Sequence, residues 1–172
     1  SYSRPLGVVA YVVGNAVTKA GGDFAQVVFG SSATGIVRRG HPVDVVPVVV
    51  PEDGWENIKD AVLTLDDELD LIDGDGVRIL VVASDGAYYE NSQGRWADEA
   101  FPALAARGVI IVHIDINDEY YNKYSTDVAP EHRHNNPYPV LKIPHDLNSL
   151  DIARAVSERI VASVTASNPK QM

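Results

Sequence analysis

The chain predicts an α/β fold: a mostly parallel, doubly wound sheet with helices on both faces and one antiparallel hairpin at its edge. Three observations carry this expectation. Val77 to Ala83 (VRILVVA) and Val109 to Ile116 (VIIVHIDI) are short, nearly continuous apolar runs, the pattern of strands covered on both faces. Such runs alternate with segments whose apolar residues recur at helical spacing, which calls for parallel neighbours joined by right-handed crossovers. Two further β-rich runs flank Gly30-Ser31-Ser32, a turn sequence, and read as a hairpin.

The elements follow in order. Pro5 suits a first helical turn with Ser3 as its cap, and Leu6, Val9, Ala10, Val13, Val17 and Ala20 follow at helical spacing. Val8, Tyr11 and Val12 make the other face apolar as well, so this helix is expected to be buried on most sides. Gly21-Gly22-Asp23 ends it. Phe24 to Phe29 and Thr34 to Arg38 form the hairpin. Val43 to Val50 is extended and β-branched, and Pro47 confines it to an edge or a connection. From Trp55 a helical period places Ile58, Ala61, Val62, Leu65, Leu69 and Ile72 on one face, with Asp66, Asp67, Glu68 and Asp70 as a solvated opposite face. Asp73-Gly74-Asp75-Gly76 turns the chain into the first buried strand. Arg95 to Arg107 is helical, with Pro102 either kinking it or marking its start, and Gly108 closes it before the second buried strand. Residues 117–138 lack periodicity and form a long polar and aromatic loop. Val140 to Ile143 is a short strand, and Asp146 or Ser149 caps a last helix through Leu150, Ala153, Val156, Ile160 and Val164.

Length and charge narrow the function. At 172 residues, one domain over residues 1–166 with a frayed tail at 167–172 is expected. Twenty-four acidic against 14 basic residues give a net charge of −10, so the phosphate-neutralising surface of a nucleic-acid binder is missing. The absence of cysteine removes thiolate nucleophiles, zinc-thiolate sites and disulfides, and leaves the compartment open. The longest apolar stretches are too short and too interrupted to span a bilayer. No Gly-x-Gly-x-x-Gly, P-loop, nucleophile elbow or His-Glu-x-x-His occurs, so dinucleotide, NTP, serine-hydrolase and zinc-protease chemistry lack their local motifs.

In an open α/β sheet, ligands bind beyond the carboxyl ends of the strands. Two such ends carry acids here: Ser84-Asp85-Gly86, and Asp115 with Asn117 and Asp118. Ser84-Asp85-Gly86 also has the composition of a plain turn. Tyr88, Tyr89, Tyr120, Tyr121 and Tyr124 follow these ends and suit the rim of a binding surface. His113 sits among apolar neighbours inside a strand and reads as a core histidine. Glu131, His132, His134 and His145 lie in or beside a Pro-containing loop without metal-site spacing.

The order of these features is similar to that of the von Willebrand factor A-type domain, a Rossmann-like fold. A helix is followed by Gly22-Asp23-Phe24-Ala25-Gln26-Val27-Val28-Phe29-Gly30 and its hairpin. Then come a second helix, an apolar strand ending in Ser84-Asp85-Gly86, a third helix and a strand opening Gly108-Val109-Ile110-Ile111-Val112. The similarity covers nearly the whole chain. It implies a domain that binds another protein in adhesion or complex assembly, through a hard divalent cation such as Mg²⁺ at the carboxyl ends of the strands. The family's ligands come from a first-strand Asp-x-Ser-x-Ser, a Thr of a later loop and an Asp like Asp85. Ser1 and Ser3 stand at or just after the Ser-x-Ser position, and their plainer reading is a capped helix start. Glu56, in Asp53-Gly54-Trp55-Glu56-Asn57-Ile58, stands where Thr is expected, and suits a helix N-terminus equally.

The resemblance also implies a central strand before the first helix, where this chain opens. The expected partner is therefore another protein, or an upstream segment or second chain that supplies that strand. Two alternatives stand beside this reading. One is a Mg²⁺-dependent hydrolase or phosphoryl-transfer enzyme using Asp85, Asp115 and Asp118 with His113 as base. The other is an assembly subunit without an ion.

Overall fold

The computed structural model describes residues 3–29, 33–41, 57–84, 92–117, 140–144 and 146–167. In chain order these form α1 (Ser3–Lys19), β1 (Gln26–Phe29), β2 (Ala33–Val37), α2 (Ile58–Leu69), β3 (Arg78–Ser84), α3 (Ser92–Ala106), β4 (Val109–Asn117), β5 (Val140–Pro144) and α4 (Ser149–Ser167). β1 and β2 are an antiparallel pair, and β3, β4 and β5 are a separate parallel sheet in that order. The fold class is thus α/β with a parallel core and an antiparallel hairpin. Val43–Val50, the long loop and the tail from residue 168 lie outside the described residues.

Strand alternation divides the core in two. Leu80 and Val82 of β3 join Val109 and Ile111 of β4 on one face, beneath Ile58 and Val62 of α2 and Ala97, Phe101 and Leu104 of α3. Val112, Ile114 and Ile116 of β4 meet Ile143 of β5 on the other, beneath Val8, Val9 and Val13 of α1 and Ile152 and Val156 of α4, with Ile79, Val81 and Ala83 alongside. Both faces of β3 and β4 are therefore covered, as their unbroken apolar runs require. The hairpin segment feeds both cores, Phe29 entering the first and Phe24 the second, and α2 packs on both hairpin strands as well as on α3.

Helix ends show local chemistry that the periodicity alone does not carry. At the end of α1, Gly21 takes φ +78°, the N–H of Gly22 reaches the carbonyl of Val17, and that of Gly21 reaches Thr18. This pairing satisfies two of the carbonyls left over at a helix end and needs a glycine in the left-handed position. α2 and α4 share an entry device. The Asn57 side chain accepts from the N–H of Asp60 and donates to its carboxylate, and Asn148 does the same with Asp151. Asn148, rather than Asp146 or Ser149, is thus the cap of α4.

Three other expectations are corrected. α2 stops at Leu69 because Asp70 turns left-handed at φ 54°, so Ile72 packs against the first core from the following turn instead of extending the helix face. The acidic run of α2 is not merely solvated: Asp66 accepts from the N–H of Ile72, and Glu68 accepts from Arg39 N–H and pairs with Arg38 at 3.7 Å. α3 runs through Pro102, which is exposed, while Ala97, Phe101 and Leu104 anchor the opposite face; Pro102 does not start the helix.

Candidate functional site

Parallel pairing fixes which residues share an end of the sheet. Val82 lies beside His113, which lies beside Val140, and two residues further on Ser84 lies beside Asp115, which lies beside Lys142. Ser84 has the parity of Leu80 and Val82, and Asp115 that of Val109 and Ile111. Lys142 has the parity opposite to Leu141 and Ile143, which belong to the second core. By register alone, positions 84, 115 and 142 stand in one row across β3, β4 and β5 at their carboxyl ends. This row lies at the carboxyl ends of the strands, where an α/β sheet binds ligands.

His113 stands two residues before this row on β4. It is 5% exposed, its ring meets Phe101 edge-on at 5.3 Å and 81°, and Trp96 stands edge-on to Phe101 at 6.4 Å. Burial removes the water that stabilises an imidazolium, and lowers its pKa from 6.5 to about 4. At neutral pH it is an uncharged core histidine, as its apolar neighbours in the sequence indicate. A base needs both reach and basicity, and this residue has little of either.

The amino end of the sheet carries a different arrangement. The guanidinium of Arg78 donates to the carbonyls of Leu71, at 3.0 Å, and of Ile72, both just after α2, and to that of Arg107 after α3. Arg107 in turn pairs with Asp73. One planar cation thereby ties two helix exits to the start of β3, using the fixed donor fork that arginine offers. Gly74 is required there by close approach, since a Cβ on it meets the Asp70 carbonyl oxygen at 2.3 Å. This end is structural.

Of the residues singled out in the sequence, the backbone of Ser3 opens α1. Ser1, Glu56, Asp85 and Asp118 lie outside the described residues, as do the loop tyrosines, Glu131, His132, His134 and His145. The row joining Ser84, Asp115 and Lys142 has no signal in the sequence, because it depends on the register between strands separated by a helix or a long loop. Among the described residues no group of three or more His, Asp and Glu is placed to hold a metal ion. No helix of the described residues is long and apolar enough to cross a membrane. Comparison of the chain with protein-family models, curated proteins and solved structures finds no match.

Proposed function

We propose that the chain is a protein-binding domain of the von Willebrand factor A type, acting in adhesion or complex assembly, with its binding edge at the carboxyl ends of β3, β4 and β5. The observation that carries this reading is the division of the described strands into an antiparallel pair packed on α2 and a three-stranded parallel sheet covered by helices on both faces. β3 is apolar on both faces, the mark of an interior strand, yet β4 is its one described neighbour. A strand edge of this kind is a template for strand addition. On the hairpin, the Gln26 side-chain carbonyl is buried without a partner, an acceptor that an added strand can satisfy.

In this reading the sheet becomes doubly wound when a further strand lies between the hairpin and β3, supplied by a segment preceding Ser1 or by another chain. A hard divalent ion such as Mg²⁺ belongs to that completed state, with Asp85, Glu56, Ser1 and Ser3 as the ligands this chain offers and the added strand as the source of the rest. The rival enzyme reading leans on His113 as base, and burial under Phe101 speaks against that role.

The test is to produce residues 1–172 alone and together with the completing segment, and to compare them by sedimentation and thermal unfolding. The reading predicts a strand-swapped, oligomeric or aggregating chain alone, and a cooperative unit once the strand is present. A stable monomer of the chain alone, with one sharp transition, contradicts it.

A further inference from the structure

We propose that Asp75-Gly76 is a covalent modification site, at which aspartate converts to isoaspartate by the chain's own chemistry, while the adjoining Asp73-Gly74 is protected from the same change. In this rearrangement the amide nitrogen of the following residue attacks the aspartyl carboxyl carbon. The new N–C bond closes a five-membered succinimide, and the amide proton and the carboxyl hydroxyl leave together as water. One water then opens the ring at either carbonyl, restoring aspartate or leaving the main chain routed through the side-chain carboxyl as isoaspartate. No other reactant is consumed. A glycine after the aspartate favours the attack because it has no Cβ to obstruct it. The sequence holds four Asp-Gly dipeptides, of which 53–54 and 85–86 lie outside the described residues. The other two follow one another directly in the turn between α2 and β3, in opposite surroundings. The Asp73 carboxylate is held by Arg107, and the N–H of Gly74 donates to the Asp70 carbonyl at 2.9 Å. A Cβ on Gly74 meets that same oxygen at 2.3 Å. Both reacting groups are thus occupied, and they approach one another only if these contacts break. Asp75 and Gly76 are exposed, and neither the Asp75 carboxylate nor the Gly76 N–H has a hydrogen bond or ion pair among the described residues. A Cβ on Gly76 meets nothing within 4 Å. Attack there needs only the rotation of one free side chain and one free peptide. The product adds one carbon to the main chain at residue 75, three positions before Arg78, whose guanidinium holds the exits of α2 and α3.

The experiment incubates residues 1–172 warm at neutral pH, once under conditions where circular dichroism shows the chain folded and once in concentrated urea. Trypsin releases residues 60–78 as one peptide that contains both dipeptides. Mass spectrometry with fragmentation at the N–Cα bonds then separates isoaspartate from aspartate at each position. In urea neither dipeptide is held, and both form isoaspartate at comparable rates. In the folded chain, isoaspartate at residue 75 is expected to lead that at residue 73 by about tenfold or more, since attack at 73 first breaks a hydrogen bond and an ion pair. Asp75→Glu, whose longer side chain closes the corresponding six-membered ring far more slowly, keeps the fold and loses the signal at 75. Equal accumulation at 73 and 75 in the folded chain overturns the inference. So does the absence of isoaspartate at 75 in the folded chain, whatever the unfolded chain shows. The proposed binding edge lies at the opposite end of the strands, so failure of that reading leaves this test unchanged.

Discussion

Acidification is expected to destabilise this protein through one buried side chain. In the folded state, the pKa of His113 is lowered from 6.5 to about 4 by burial against Phe101 in the first core. The unfolded chain therefore takes up a proton first, and stability falls as pH drops from about 6.5 to about 4, then levels off. With these two values the loss attributable to His113 is about 0.1 kcal/mol at pH 7.5 and about 2 kcal/mol at pH 5. Such a change is a large share of the stability of a small domain. Urea unfolding of the wild type and of His113→Leu at both pH values measures it. Carboxylates contribute the same background to both proteins, so the prediction concerns the difference: the wild type loses about 2 kcal/mol more than the variant between pH 7.5 and pH 5. Identical pH dependence in the two proteins refutes the argument, because it means that His113 reaches water or a compensating charge when protonated.

Three further outcomes follow from the geometry. Arg78→Met leaves the carbonyls of Leu71, Ile72 and Arg107 without their shared donor, and thermal unfolding should show a loss of about 2–4 kcal/mol. Gly74→Ala sets a Cβ against the Asp70 carbonyl oxygen at 2.3 Å, and the cost of moving the turn, about 1–3 kcal/mol, is read from denaturant midpoints. Asn148→Ala removes the cap of α4, at about 1 kcal/mol; an Asn148→Asp variant, which keeps the acceptor, should recover most of it.

Much of the scaffold was legible from the chain because its signals are local. The runs containing Leu80 and Val82 and containing Val112 and Ile114 are apolar at every position that a two-sided cover touches, and they became the two strands buried on both faces. α1 is apolar nearly all round, and Pro5, Val8, Val9, Ala10 and Val13 are buried accordingly. Errors arose where a short-range cue competed with the period. Ile72 fits the α2 spacing, but Asp70 accepts the left-handed conformation that ends the helix, and Asp66 secures the turn. Pro102 signals a break, but its exposed position lets the helix continue on the strength of Ala97, Phe101 and Leu104. The Asn-x-x-Asp pairs at 57–60 and 148–151 are cap signals, and for α4 the neighbouring Asp146 and Ser149 compete with Asn148 for the same position. The candidate site is of another kind. Neither Asp115 nor Lys142 announces the other across 27 positions of sequence, and only the register of β4 with β5 brings them side by side.

Amide hydrogen exchange on residues 1–172 alone tests the proposed function most directly, through its inference that a further strand completes the sheet beside β3. β4 lies between β3 and β5, and its amides are expected to exchange at the rate set by global unfolding. The account predicts that the amides of residues 78–83 directed away from β4 exchange markedly faster in the isolated chain and become as slow as those of β4 once the completing strand is bound. Uniform slow exchange along the whole of β3 in a monomer of the chain alone would contradict it, since every amide of that strand would then already be paired.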